Sequence, residues 1–177
     1  MKKFGVFRLY VLLMLLPVFT SIEGKAQDSV STRFRHHGLY FELFGSGGMY
    51  TINYEYRFNE HWSARAGFST WSLSLIAWKF GVTAWPLLFN RLSGQDGNYL
   101  ETGLGIMPTT LSFTSGENIF SFEDREKQSK TILLGTAFIG YRMQPVEERY
   151  FLRIGFTPLF TFEEVLPTGG ISAGFTF

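Results

Sequence analysis

The chain contains no cysteine, so it has neither a disulfide scaffold nor the acylated cysteine of a lipid-anchored lipoprotein. That absence does not set the compartment, because proteins of oxidising spaces can also lack cysteine. Histidine is scarce, with only His36, His37 and His61, and no Asp or Cys stands beside them at metal-ligand spacing. There is no basic run, which argues against nucleic acid as a partner. Beyond the first segment no apolar stretch approaches the about 20 residues of a membrane-spanning helix, and no segment shows a clear 3.6-residue period. Any residence in a bilayer must therefore come from strands, since only helices and closed barrels satisfy every backbone polar group in lipid.

What the chain has is aromatic residues and glycine: Phe, Trp and Tyr make up 18% of 177 residues, with 20 Phe against 19 Gly. That pairing suits twisted, closed sheets with close backbone approaches, and the length suits one domain. The N-terminus reads as a targeting sequence. Lys2, Lys3 and Arg8 precede an apolar run from Leu9 to Phe19, and Gly24 and Ala26 form a small-x-small cleavage site. Residues 1–26 are thus expected to be a cleaved signal peptide, 27–35 a polar lead-in and 36–177 the folded body. Cleavage removes Lys2, Lys3, Arg8, Lys25 and Glu23, which leaves a mature chain of net charge −2.

The body alternates with period two. In Met49–Phe58, Tyr50, Ile52, Tyr54, Tyr56 and Phe58 take one face and Thr51, Asn53, Glu55 and Arg57 the other. Similar patterns place strands at Gly38–Gly45, Trp62–Thr70, Trp78–Leu87, Asn98–Met107, Thr131–Arg142, Tyr150–Phe160 and Thr168–Phe177. These eight approach the about 9–11 residues needed to cross a bilayer with tilt. The fold expected is an all-β, eight-stranded, antiparallel up-and-down transmembrane barrel. Its short turns lie at Asn59–His61, Asn90–Gly97 and Met143–Arg149 on the side of the termini. The opposite end carries Gly45–Gly48, Trp71–Ala77, Pro108–Lys130 and Thr161–Pro167.

The apolar face is read as facing lipid. Its counterpart, rich in Gly, Ser and Thr, carries Glu42, Glu55, Arg57, Arg65, Lys79, Glu101 and Arg153. A narrow lumen suits small residues and mutually neutralising charges. Aromatic side chains gather toward the strand ends as two girdles: Tyr56, Phe58, Trp62, Tyr141, Tyr150 and Phe177 at one rim, Tyr50, Phe68, Trp78 and Phe160 at the other. A three-residue turn at Asn59–His61 sets Glu55 directly opposite Arg65, and the two are expected to form an ion pair, with Glu101 and Arg153 extending it.

The run Tyr40–Phe58, the Asn59-Glu60-His61 turn, Tyr99-Leu100-Glu101, Gly140-Tyr141-Arg142 with Pro145, Arg153–Pro158 and the closing Gly170–Phe177 together resemble small outer-membrane β-barrel proteins of Gram-negative bacteria, of the OmpA/OmpX-type architecture. The resemblance spans the whole mature chain as a strand pattern and concerns architecture, not activity. It implies outer-membrane location, outer-membrane lipid as the surrounding medium, and a C-terminal strand ending in Phe177 that the insertion machinery reads. No catalytic, cofactor or metal residue carries over, and a monomer is expected. The outer end has no histidine to serve as a general base for lipid modification, a role in which Glu163 or Glu164 would have to substitute. Gly45-Ser46-Gly47-Gly48 lacks the Lys-Ser/Thr ending of a phosphate loop and reads as a hairpin turn. A structural or loop-mediated binding role is the leading function, and a narrow pore for ions or very small solutes the alternative.

Overall fold

The computed structural model describes residues 34–74, 78–115, 127–145, 147–161 and 163–177. The expected signal peptide, most of the lead-in and much of the Pro108–Lys130 connection lie outside them. The described residues form eleven strand segments: β1 His37–Leu43, β2 Tyr50–Arg57, β3 Trp62–Ser74, β4 Trp78–Ala84, β5 Leu87–Gln95, β6 Asn98–Ser115, β7 Lys127–Met143, β8 Tyr150–Phe156, β9 Leu159–Phe160, β10 Val165–Leu166 and β11 Gly169–Thr176. They make eight staves. β4 and β5 share one register against β3 and against β6 on either side of Trp85–Pro86. β8 and β9 both follow β7 around Thr157–Pro158, and β10 and β11 continue one another against β9 and β8.

Every pairing is antiparallel between chain neighbours, and β1 closes the ring by pairing with β2 on one side and β11 on the other. His37 and Phe177 complete the seam: His37 N donates to Phe177 O at 3.2 Å and Phe177 N to His37 O at 2.8 Å. Following the ladders once round from Leu39 passes Tyr54, Ala66, Leu87, Ile106, Gly135, Phe160 and Val165. The constant β11–β1 offset then returns to position 49, ten residues along from 39. A stagger of this kind inclines the strands to the barrel axis, so residues far apart in sequence meet across the lumen.

Prolines sit where the ladder can spare a donor. Pro108 lies within β6, opposite the break at Trp85–Pro86, and still accepts from Trp85 N at 3.0 Å. The strands therefore run through positions that read as loops. β3 continues past Thr70 to Ser74, β6 past Met107 to Ser115, and β7 starts at Lys127. β5 continues to Gln95, so the expected Asn90–Gly97 connection shrinks to Asp96–Gly97, with φ of 54° and 79°.

Burial is inverted relative to a water-soluble domain. On β2, Thr51, Asn53, Glu55 and Arg57 are buried while Ile52, Tyr54 and Tyr56 are exposed. One stave departs from the expected facing. Because β4 and β5 keep one register through Pro86, the side that holds buried Ala84, Leu88 and Asn90 also holds Val82, Phe80 and Trp78. Trp78 therefore belongs to the inner face, not to a lipid-facing girdle. Lys79 alternates in step with Trp85, Leu87 and Phe89 on the outer face, where it is exposed, and is not a lumen charge. On β4 the apolar side chains line the inner face, so polarity does not mark the lipid side there as it does on β2.

Candidate functional site

The lumen is the most elaborate polar site among the described residues. The alternation of β1, β2, β3, β6, β7 and β8 turns Glu42, Glu55, Arg65, Glu101, Arg142 and Arg153 toward the axis, all buried. They form an alternating chain. Arg142 Nη1 donates to both oxygens of Glu55 at 2.9 and 2.7 Å and lies 3.8 Å from Glu101 Oε2. Arg153 Nη1 donates to Glu101 Oε1 at 3.0 Å, and its Nη2 to Glu42 Oε1 at 3.2 Å. Arg65 Nη1 completes the chain 3.6 Å from Glu42 Oε1.

Three carboxylates and three guanidiniums cancel in charge, which is what makes burying them tolerable. Further hydrogen bonds support the chain. Ser63 donates to Glu55 at 2.8 Å, Asn90 to Glu101 at 2.9 Å, and Arg65 to the Tyr40 hydroxyl at 3.0 Å. Buried aromatic rings lie against the arginines. The Arg142 guanidinium carbon is 4.0 Å from the Phe151 centroid, and that of Arg153 is 4.5 and 4.6 Å from Tyr40 and Phe138. A desolvated stack of this type contributes about 2 kcal/mol.

Of the sequence-derived lumen charges, Glu42, Glu55, Arg65, Glu101 and Arg153 meet in this network. Arg57 is buried closer to the termini, where it donates to Gln144 Oε1 at 3.5 Å and to Glu60 O at 3.1 Å. Glu55 and Arg65 do stand opposite each other in the β2–β3 register. Their expected ion pair is replaced by Glu55–Arg142 and Arg65–Glu42. Arg142 escaped the sequence reading because it closes a noisy strand beside Gly140 and reads as a rim residue; its alternation with Tyr141 was the available signal. Asn90 was hidden in the supposed turn.

The far mouth is stoppered by the β1–β2 turn. Gly45, Ser46 and Gly47 are buried; Gly47 O accepts from Ser69 Oγ at 2.8 Å and Trp71 Nε1 at 3.2 Å. At the near rim, His36 Nδ1 lies 2.9 Å from Arg57 O and His37 Nδ1 2.6 Å from Tyr54 OH. The described residues hold no cluster of metal-ligating side chains. Phe177, the expected assembly signal, stacks on His37 at 5.6 Å between ring centroids. Glu163 and Glu164 lie exposed in the β9–β10 turn, where their backbone amides donate to Thr161 Oγ1.

A closed antiparallel ring with an apolar exterior and a charged interior defines a small transmembrane β-barrel. Solved structures share this fold. The N-terminal β-barrel domain of Pseudomonas aeruginosa OprF superposes with a TM-score of 0.56 at 12% identity, over 80% of this chain and 96% of that one. Ail, the attachment invasion locus protein of Yersinia pestis, superposes with a TM-score of 0.51 at 16% identity, over 81% of this chain and all of that one. No protein-family model matches the chain, and neither does any curated protein sequence.

Proposed function

We propose that the chain is an integral outer-membrane barrel whose lumen is a structural plug and whose task is surface binding by the part standing beyond the bilayer, opposite the termini. The observation that carries this reading is the six-residue ion chain from Glu55 to Arg65, which ties six strands together across the axis. Guanidiniums held by carboxylates and rings are poorly placed to pass ions or act on a substrate. In the same reading residues 1–26 direct export, Phe177 presents the C-terminal strand to the insertion machinery, and the barrel works as a monomer. Single-channel recording of the refolded, full mature chain tests it. A flat baseline at moderate voltage is expected, whereas reproducible conductance steps would favour a narrow pore instead.

A further inference from the structure

β3, β4, β6 and β7 run on past their neighbours at the far end. The β2–β3 pairing begins at Ile52 and Phe68, and β9 touches β7 only at Gly135 and Thr136. In this extension the polarity of the two faces reverses. On the outer face, Phe68, Trp85, Pro108 and Leu133 form the last apolar row. The next row is Thr70, Thr83, Thr110 and Thr131, with hydroxyl pairs at 3.1 and 2.9 Å, and then Ser72, Gly81, Ser112 and Ser129. An outer face of this composition lies in water, so the bilayer ends near the threonine row.

The inner face changes the opposite way. Above buried Ala84, Met107 and Leu159, one row reads Trp71, Val82, Leu111 and Lys130, and the next Leu73, Phe80, Phe113 and Gln128. These side chains stand partly exposed. Leu73 is 55% exposed, Trp78 58%, Phe80 37% and Phe113 43%. With strands about 4.8 Å apart and same-face residues about 6.8 Å apart along a strand, the patch is narrow, suited to an alkyl chain and too small for a protein core. Lys130 is the one charged side chain on this face among the described residues; it is exposed and stands beside Leu111. An apolar track with a single cation at its edge is complementary to a single-chain anion.

We propose that this inner face binds a long-chain carboxylate, its alkyl chain along Val82, Phe80, Leu111 and Phe113 and its head group at Lys130. The inference rests on the reading of the chain as a membrane-inserted barrel that binds at its far end, and it supplies the ligand chemistry.

The test uses the full mature chain in bilayer nanodiscs, with Trp62→Phe and Trp85→Phe so that emission reports Trp71 and Trp78 alone among the four tryptophans. Dodecanoate, dodecanol and dodecyltrimethylammonium are titrated in turn. Dodecanoate should change the emission saturably and bind more tightly than the ammonium amphiphile. Lys130→Glu should weaken dodecanoate by about threefold, as for an exposed ion pair, and leave dodecanol unchanged. Phe80→Ser with Phe113→Ser should weaken all three at least about tenfold, with the circular dichroism of the barrel retained. A response that tracks partitioning into the lipid, equal affinity for carboxylate and ammonium, or cross-linking that shows a second copy on this face would overturn the proposal. Conductance separates the two readings. A conducting barrel that still binds dodecanoate would sink the plug alone, and a silent barrel without saturable binding would sink this site alone.

Discussion

Glu55 and Arg65 face each other across β2 and β3, yet each takes its ionic partner from elsewhere: Glu55 is held by Arg142 at 2.7 Å and Arg65 lies 3.6 Å from Glu42. Direct opposition in an antiparallel pair brings Cβ atoms to about 4.5–5.5 Å, but long side chains inside a closed ring can reach across the axis. Arg142, opposite Glu55 in the lumen, delivers one nitrogen to both carboxylate oxygens. Arg65 has the Tyr40 hydroxyl instead. Arg142→Ala should therefore cost the refolded barrel about 3–5 kcal/mol by stranding Glu55, and more than Arg65→Ala does. Glu55→Gln combined with Arg142→Gln should recover part of the loss. Equilibrium unfolding of the four species of a double-mutant cycle measures the coupling. Stronger coupling of Glu55 to Arg65 than to Arg142 would contradict the arrangement.

Most of the architecture was legible because period two is a local property and a closed barrel imposes it on every stave. The eight strands and the inward Glu42, Glu55, Glu101 and Arg153 all follow from it. What was not legible depended on global geometry. Partner choice among the lumen charges is set by the ten-residue stagger, to which no single strand gives a clue. The inner placement of Trp78 and the outer placement of Lys79 depend on where the bilayer stops. Pro108 reads as the start of a connection after Met107, although its place opposite Trp85 lets the stave continue.

Phe138 lies on the inner side of β7, and its ring covers the backbone of Gly155 on β8. A Cβ at Gly155 would stand 2.5 Å from Phe138 Cε2 and Cζ and 2.9 Å from Ile139 O. Gly155→Ala should destabilise by about 1–3 kcal/mol through overpacking. Phe138→Leu also costs, because it removes the ring beside Arg153 and Arg65. The two changes together should cost less than their sum, as the second makes room for the first. Additive losses in urea unfolding would show that the ring does not limit this position.

The Asp96–Gly97 turn has both central residues at positive φ, the geometry that matches the twist of a two-residue hairpin. Gly97 is further confined because a Cβ there would lie 2.5 Å from Gln144 O, whose residue donates its own amide to Gly97 O at 2.6 Å. Gly97→Ala should lose at least about 1–2 kcal/mol. Asp96→Asn should be near neutral, since Asn tolerates the left-handed region. Thermal unfolding of both variants distinguishes them; equal midpoints would mean that the turn is not of this type.

Leu104 and Thr110 share the outer face of β6, one inside the apolar belt and the other in the threonine row where the polarity reverses. An arginine on the lipid face costs about 2–4 kcal/mol at the bilayer midplane and about 0–1 kcal/mol near the interface. Leu104→Arg should therefore destabilise the barrel in liposomes strongly, and Thr110→Arg hardly at all. Thr110 lies only six positions further along the same strand, so the contrast reads depth and little else. Both variants keep the lumen unchanged, which removes the ion network from the comparison. In detergent micelles, which adapt to the protein surface, the gap should narrow. A penalty at Thr110 as large as that at Leu104 would move the bilayer surface outward. It would also turn the serines and threonines of the extension into lipid-facing residues, a placement their composition makes costly.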